Sequence, residues 1–360
     1  MAYTTINKST DYFNTLLHTG NDASPRSLTG VGFQPDLVWL KRRNSASSHT
    51  LYDAVRTAGS AKGLASNANA AEGLSATEGT TANYGYVNSF DSDGFSVTTG
   101  ASNDNYVNNS SDTYVSWNWK ANGQGSSNTD GSINTTYTSA NTTAGISIVQ
   151  YTGTGSNATI GHGLGIAPQA IFVKKTNTTQ SWRCGHVGMG WTHGNNLNND
   201  SAAYDSDTYW QDTAPTTSVF SVGTDTEVNG SGDTHIAYCF AEVRGFSKFG
   251  SYTGNGNDKG PFIFTGFKPA FVIIKKATGS AQDWIMIDNK RGNFNSFGER
   301  LYPNLSNAED TSSEYFDFIS NGFVVKTNTA LWNNDNSTYV YWAFAEAPLV
   351  GSNNVPATAR

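Results

Sequence analysis

The chain has 360 residues, a formal net charge of −7 and a pI near 5.3, so it lacks the basic surface that binding to nucleic-acid phosphates requires. No apolar run approaches the ~18 residues of a membrane helix, and the N-terminal MAYTTINKST has no basic region leading into an apolar core, so neither membrane insertion nor a secretory signal is expected. Charged residues make up 14%, well under the usual ~25%; Ser, Thr, Asn and 37 Gly take their place beside 17 Tyr, 19 Phe and 9 Trp, which predicts an all-β protein rich in turns.

Residues 1–16 read as an N-terminal arm. Residues 17–121 follow as a first β module. Its LHTGNDASPRSLTGVGFQPDLVWLKR (17–42) places Pro35 at the start of a buried strand, where its missing N–H does no harm. HTLYD (49–53) is a further strand, and 54–82 reads as a long exposed loop of small and polar residues. DGFSV (93–97) is a turn and strand. TYVSWNWK (113–120) closes the module, with Tyr114, Ser116 and Asn118 on one face and Val115, Trp117 and Trp119 on the other. Residues 122–144, NGQGSSNTDGSINTTYTSANTTA, are Gly, Ser, Asn and Thr with few apolar side chains. They read as a flexible or extended linker.

The module then repeats. Residues 145–246 contain QYTGTGSNATIGHGLGIAPQAIFVKK (150–175), with Pro168 leading the buried strand, then SVFSV (218–222) and the closing THIAYCFAE (234–242). Residues 247–350 contain GSYTGNGNDKGPFIFTGFKPAFVIIKK (250–276), with Pro269 in the same place, then WIMID (284–288), NGFVV (321–325) and TYVYWAFAE (338–346). Residues 351–360 read as a C-terminal tail. Three such copies predict three tandem β-sandwich or jelly-roll-like modules of about 100 residues each. Pro35, Pro168 and Pro269 mark equivalent positions, and Tyr114, Tyr238 and Trp342 are read as equivalent positions of the closing strands. The inner and closing strands are the most apolar of each copy and are expected side by side at the centre of a sheet.

No pattern carries enzymatic chemistry. Glu242 and Glu346 end equivalent strands, but the first copy has Ala121 there, so salt bridges or turn contacts are expected in place of a catalytic carboxylate pair. The six histidines form no HExxH, and Cys184, His186 and His193 span what reads as a loop, so no metal site and no cofactor are expected. DSDG (91–94) fails the calcium-loop pattern and reads as a turn; loop calcium from Asp104, Asp112 and nearby asparagines stays open. Cys184 and Cys239 read as small core residues, with pairing also open. The remaining candidates are loop aromatics. Trp191, Tyr204, Tyr209 and Trp210 in the second copy and Trp332 in the third stand in polar surroundings, where they either stack on a ligand or pack against a sheet edge.

From about residue 30 to 348 the chain resembles a family of bacteriophage virion structural proteins, of marine or cyanophage type, built of repeated β modules. The segments that carry the likeness are GFQPDLVWLKRR, HTLYDAVR, DTYVSWNWKANG, TAGISIVQYTGTG, ATIGHGLGIAPQAIFVKK, VNGSGDTHIAYCFAEV and GFKPAFVIIKK. The resemblance implies a virion protein made in the host cytoplasm, without enzyme activity and without catalytic residues to carry over. The expectation is a tail appendage of fibre type active in host attachment or tail assembly. A capsid decoration protein, a lectin-like module and a glycan-degrading tailspike are the alternatives. Expected partners are copies of the chain itself, with a trimer as one arrangement, other virion proteins and a host-surface glycan.

Overall fold

A computed structural model of the chain describes residues 3–75, 79–103, 105–292, 295, 298–313 and 315–350. Asp104 and the tail 351–360 lie outside them. Nearly every described element is a strand, and no described helix exceeds four residues. The protein is all-β.

One sheet order occurs three times. In each third an entry strand (Phe13–Thr19, Ile146–Thr152, Ser247–Thr253) pairs with the closing strand (Thr113–Trp119, Thr234–Phe240, Thr338–Pro348). The closing strand pairs with the inner strand (Leu37–Arg42, Ala170–Lys175, Phe267–Lys276), and the inner strand with a fourth (Thr50–Asp53, Arg183–His186, Ile285–Asp288). All these pairings are antiparallel. A smaller sheet covers the outer face of each: three strands in the first and third, two in the second. The expected adjacency of inner and closing strands is therefore what the structure has, and both are central because their residues are buried on both faces.

Register defines the equivalences. Leu37, Ala170 and Phe271, each two residues after a proline, lie opposite Trp119, Phe240 and Phe344. Pro35, Pro168 and Pro269 are thus equivalent, Pro269 at a register shift inside its strand. Two residues earlier on the closing strands stand Trp117, Tyr238 and Trp342. The sequence grouping of Tyr114 with the last two needs correction: Tyr114 lies opposite Arg42, as His235 does opposite Lys175 and Tyr339 opposite Lys276. Counting aromatic residues along the strand missed this, because the alternation places two different aromatics on opposite faces.

Each sheet has two buried faces. Outward, it packs on its small sheet, giving three separate cores: Val38, Tyr52, Val87 and Phe95 in the first; Val149, Ile171, Phe220 and Val222 in the second; Val272, Ile287, Phe316 and Phe323 in the third. Inward, all three sheets face one shared core. There the equivalent rings of Trp119, Phe240 and Phe344 touch one another, with centroids 6.4, 5.9 and 5.7 Å apart. At its centre is a wholly apolar void of about 20 Å³, room for roughly one water but without polar partners to hold one.

The thirds interlock in one rotational sense. Trp117 Nε1 donates to Asp288 Oδ2 at 2.9 Å, Tyr238 Oη donates to Asp53 Oδ2 at 2.7 Å, and the Trp342 ring lies 4.3 Å from that of His186. The first third so reaches the last, the second the first, and the last the second. Three buried lysines follow the same path. Lys41 Nζ donates to Ser306 O, Lys174 Nζ to Asn69 O and Lys275 Nζ to Asp200 O. Burial pushes Lys174 down to about 7 and Lys275 to about 8. The backbone pairs likewise: Ser47 N to Ser306 O, Gln180 N to Asn69 O and Gln282 N to Asp200 O.

This ring corrects two expectations. The stretch 54–82 is not a free loop, since it buries Val55, Arg56, Leu64, Ala65 and Ser66 and accepts Trp182 Nε1 at Ala65 O. Residues 122–144 are not a flexible connector: Tyr137–Asn141 pairs with Ile146–Thr152, and Ile133 bridges to Ile160.

Each third also carries a stacked pair between entry and closing strands: His18 on Tyr114, Tyr151 on His235 and Tyr252 on Tyr339. Both members of each pair bond carbonyls of one turn, Asn105 and Val107, Thr226 and Val228, or Ala330 and Trp332. The next residue is a fully buried asparagine, Asn108, Asn229 or Asn333. Asn333 accepts from Asn255 N and donates to Asn257 O and Thr327 O, pinning the glycine turn after the entry strand. Gly254 is needed there because a Cβ would lie 2.2 Å from Asn334 O. Asn333→Ala should cost ~2–3 kcal/mol, read from urea unfolding, because it strands buried backbone groups.

Burial pushes His235 down to about 4, against two nearby carbonyls. With the folded value below the unfolded one, the unfolded chain takes the proton first. This contribution to stability is complete above about pH 6.5 and is lost as pH falls towards 4. Between pH 6.5 and 5 His235 should subtract about 2 kcal/mol. His235→Tyr, the residue of the other two thirds, should remove that part of the pH dependence in urea melts at pH 7 and 5.

Candidate functional site

The sequence candidates of the second third come together around a residue that was not among them, Arg183. In the other thirds its position is held by Thr50 and Ile285, opposite Leu40 and Ile274. A guanidinium there faces the outer core, and it is neutralised locally. Arg183 pairs with Glu227 and bonds the Tyr204 hydroxyl. Its guanidinium carbon lies 3.8 Å from the Tyr209 ring centroid and 5.1 Å from that of Tyr204, within cation–π range. Tyr209 Oη donates to Tyr204 Oη at 3.0 Å.

The local chain explains the gathering. Where the first and third copies place a third small-sheet strand, Tyr86–Asp91 or Phe316–Ile319, the second places Tyr204–Asp205 and the four-residue helix Asp207–Trp210. Ser206 caps that helix by accepting from Thr208 N. The helix turns Tyr209 and Trp210 inward as the cover the missing strand would have supplied. Trp191 stands perpendicular to Trp210 at 5.9 Å.

The five candidates therefore divide. Trp210 and Trp332 are 1% exposed and Tyr209 is buried, so these three are core residues, a correction to their reading as surface aromatics. The polar sequence around them misled, because short helical turns flip one side chain inward without an apolar run. Tyr204 is 37% exposed and Trp191 half-buried. Trp332 lies in the third copy, packed on Phe316. Burial, with the Tyr204 hydroxyl next, pushes the Tyr209 phenol up to about 12, and burial raises Asp225, whose carboxylate accepts from Glu227 N. The cluster offers an aromatic face and a bonded hydroxyl pair, and its carboxylate Glu227 is committed to Arg183. That is equipment for stacking and hydrogen bonding. Arg183 and Glu227 were legible only by aligning the three copies, where the charge at position 183 stands out against Thr50 and Ile285.

The other candidates have structural partners. Glu346 pairs with Lys268 at 3.2 Å and accepts from Asn289, and Glu242 lies 4.0 Å from Lys248. Asp93 accepts from Gly30 N and Gly32 N, and Asp112 pairs with Arg42. Cys184 and Cys239 are free thiols in the core. His186 is buried, with Nδ1 accepting from Gly188 N and Nε2 bonded to Tyr341 O. Among the described residues no three His, Cys, Asp or Glu side chains gather to hold a metal ion. A second exposed aromatic surface exists in the third copy: Phe262 and Phe264, each 50% exposed, point the same way from an edge strand.

Fold and site together define an all-β protein of three interlocked sheet pairs, of which the second and third present exposed aromatic side chains. The chain belongs to a family described as Domain of unknown function (DUF7483), whose model matches residues 8–348. No curated protein and no solved structure matches it.

Proposed function

We propose that the chain is a non-enzymatic structural protein of a phage virion, a tail appendage of fibre type that takes part in host attachment or tail assembly. The observation that carries this reading is aromatic surface, Tyr204 with Trp191 and Phe262 with Phe264, displayed on a ring closed by buried hydrogen bonds between thirds and a shared core. Such a body recognises through its outside. Its partners under this reading are other virion proteins, copies of itself and a host-surface glycan. Cryo-EM of the particle tests it: density for the chain at the tail, at a few to a few dozen copies, is expected, and density on the capsid lattice at hundreds of copies removes it.

One observation favours the capsid alternative. A chain with three like thirds in a ring presents three similar faces, which suits a seat on a threefold position of a lattice. The same copy count decides between the two.

A further inference from the structure

The three interfaces between thirds are built alike, so each serves as a control for the others. In the first third Asp53 is followed three residues on by Arg56, which pairs with Glu72 at 3.1 Å. In the last, Asp288 is followed by Arg291, which pairs with Glu309 at 2.9 Å, and Glu309 pairs with Arg43 at 2.7 Å. Glu72 N and Glu309 N each donate to the neighbouring third, at Thr176 O and Arg43 O. The second third keeps the frame and loses the charges. His186 stands for the aspartate, Met189 for the arginine and Ala203 for the glutamate, and Ala203 N still donates to Ala277 O at 2.9 Å.

Where the arginine and glutamate are missing there is a cleft of about 450 Å³, within the usual size of small-molecule sites. Met189, Ala203 and Ala277 give it an apolar floor. His193, Thr278 and Thr338 are on its rim. Thr192 bonds His193 Nδ1, which leaves Nε2 for a ligand; Thr278 Oγ1 accepts from Thr338 N and keeps its own hydrogen to donate. The neighbouring ammonium, Lys276, is 1% exposed and donates to Ser280 Oγ. The cleft of about 520 Å³ beside the Arg291–Glu309 pair differs: its walls carry Asp283, Glu309 and Asp310.

We propose that the cleft between the second and last thirds is a binding site for a neutral hydroxylated ligand, a sugar residue with no acid group. An apolar floor takes the C–H face of a pyranose ring, and the imidazole and threonine hydroxyls take its hydroxyls. An acidic ligand would find no exposed cation there, since Lys276 is buried and already donates to Ser280 Oγ, and burying a carboxylate unpaired is costly. The site does not depend on the chain being a virion component, and its test uses the purified chain alone, so the two readings fail separately.

The experiment is saturation-transfer NMR on the full chain with the methyl glycosides of glucose, galactose, mannose and N-acetylglucosamine, alongside glucuronate and N-acetylneuraminate. Transfer to at least one neutral glycoside and to neither acid is expected. The double variant Met189→Arg with Ala203→Glu restores the pair found at the other interfaces and should abolish the transfer. His193→Ala and Thr278→Val, both at the rim, should each weaken affinity by about tenfold, the loss of roughly one good hydrogen bond. The rim variants decide the matter should the double variant not fold. Silence from every neutral glycoside, preference for an acid, or an affinity undiminished in both rim variants would overturn the proposal.

Discussion

Asp288→Ala is expected to destabilise the chain by about 3–5 kcal/mol, the cost of leaving a buried cation without its counter-charge. Asp288 is fully buried and accepts four hydrogen bonds: Oδ1 from Lys290 N and Arg291 N, Oδ2 from Arg291 Nε and Trp117 Nε1. Removing the carboxylate strands the Trp117 indole of another third and leaves the Arg291 guanidinium, itself fully buried, with Glu309 as its remaining counter-charge and Met286 O as its remaining backbone acceptor. Asp288→Asn keeps the size and one acceptor and should cost less, because it loses charge without opening a hole. Asp53→Ala should behave as Asp288→Ala does, since Asp53 holds Arg56 and the Tyr238 hydroxyl in the same way. Urea unfolding of the purified variants reads all three. A loss under about 1 kcal/mol for Asp288→Ala would mean that this pair is solvated, as exposed ion pairs are.

The larger effect is expected from cutting the chain. Fragments 1–121 and 122–350 should not fold alone, giving no cooperative thermal transition and binding a hydrophobic dye. The shared core takes Phe13, Leu37, Trp117 and Trp119 from the first third, Ile148, Phe172, Trp182 and Phe240 from the second, and Phe271, Trp284, Trp342 and Phe344 from the last. Exposing a buried side chain of this size forfeits roughly 1.5–3 kcal/mol, so four of them already reach the ~5–15 kcal/mol that holds a domain together. Each fragment also loses the loop its neighbour supplies, as Lys41 loses Ser306 O and Lys174 loses Asn69 O. A dispersed amide NMR spectrum from 1–121 alone would show that this third is self-sufficient, and would sink the ring as the unit of stability.

Several features were legible in the chain itself. The prolines at 35, 168 and 269 and the pair of basic residues that ends each inner strand exposed the repeat, because a strand with both faces buried leaves a dense apolar run between fixed punctuation. The buried asparagines were also legible and were passed over: VNNSSDT, VNGSGDT and WNNDNST share an asparagine at one place, and only the polar setting hid it. The exposure of Trp210 and Trp332 was misread, since whether a loop aromatic points in or out depends on a neighbour that the local sequence does not contain.

The amino-acid sequence by itself determined the β class, the threefold repetition and the strands at the centre of each sheet, since alternation and apolar density are properties of a short stretch. Only the tertiary structure decided what covers the second face of each main sheet, that the thirds close on one another, and that one interface lost its arginine and glutamate. Those outcomes depend on residues more than a hundred positions apart, such as Trp117 and Asp288, meeting in space. A dense apolar strand reads the same whether its second face meets a sheet of its own module or the next third of the chain.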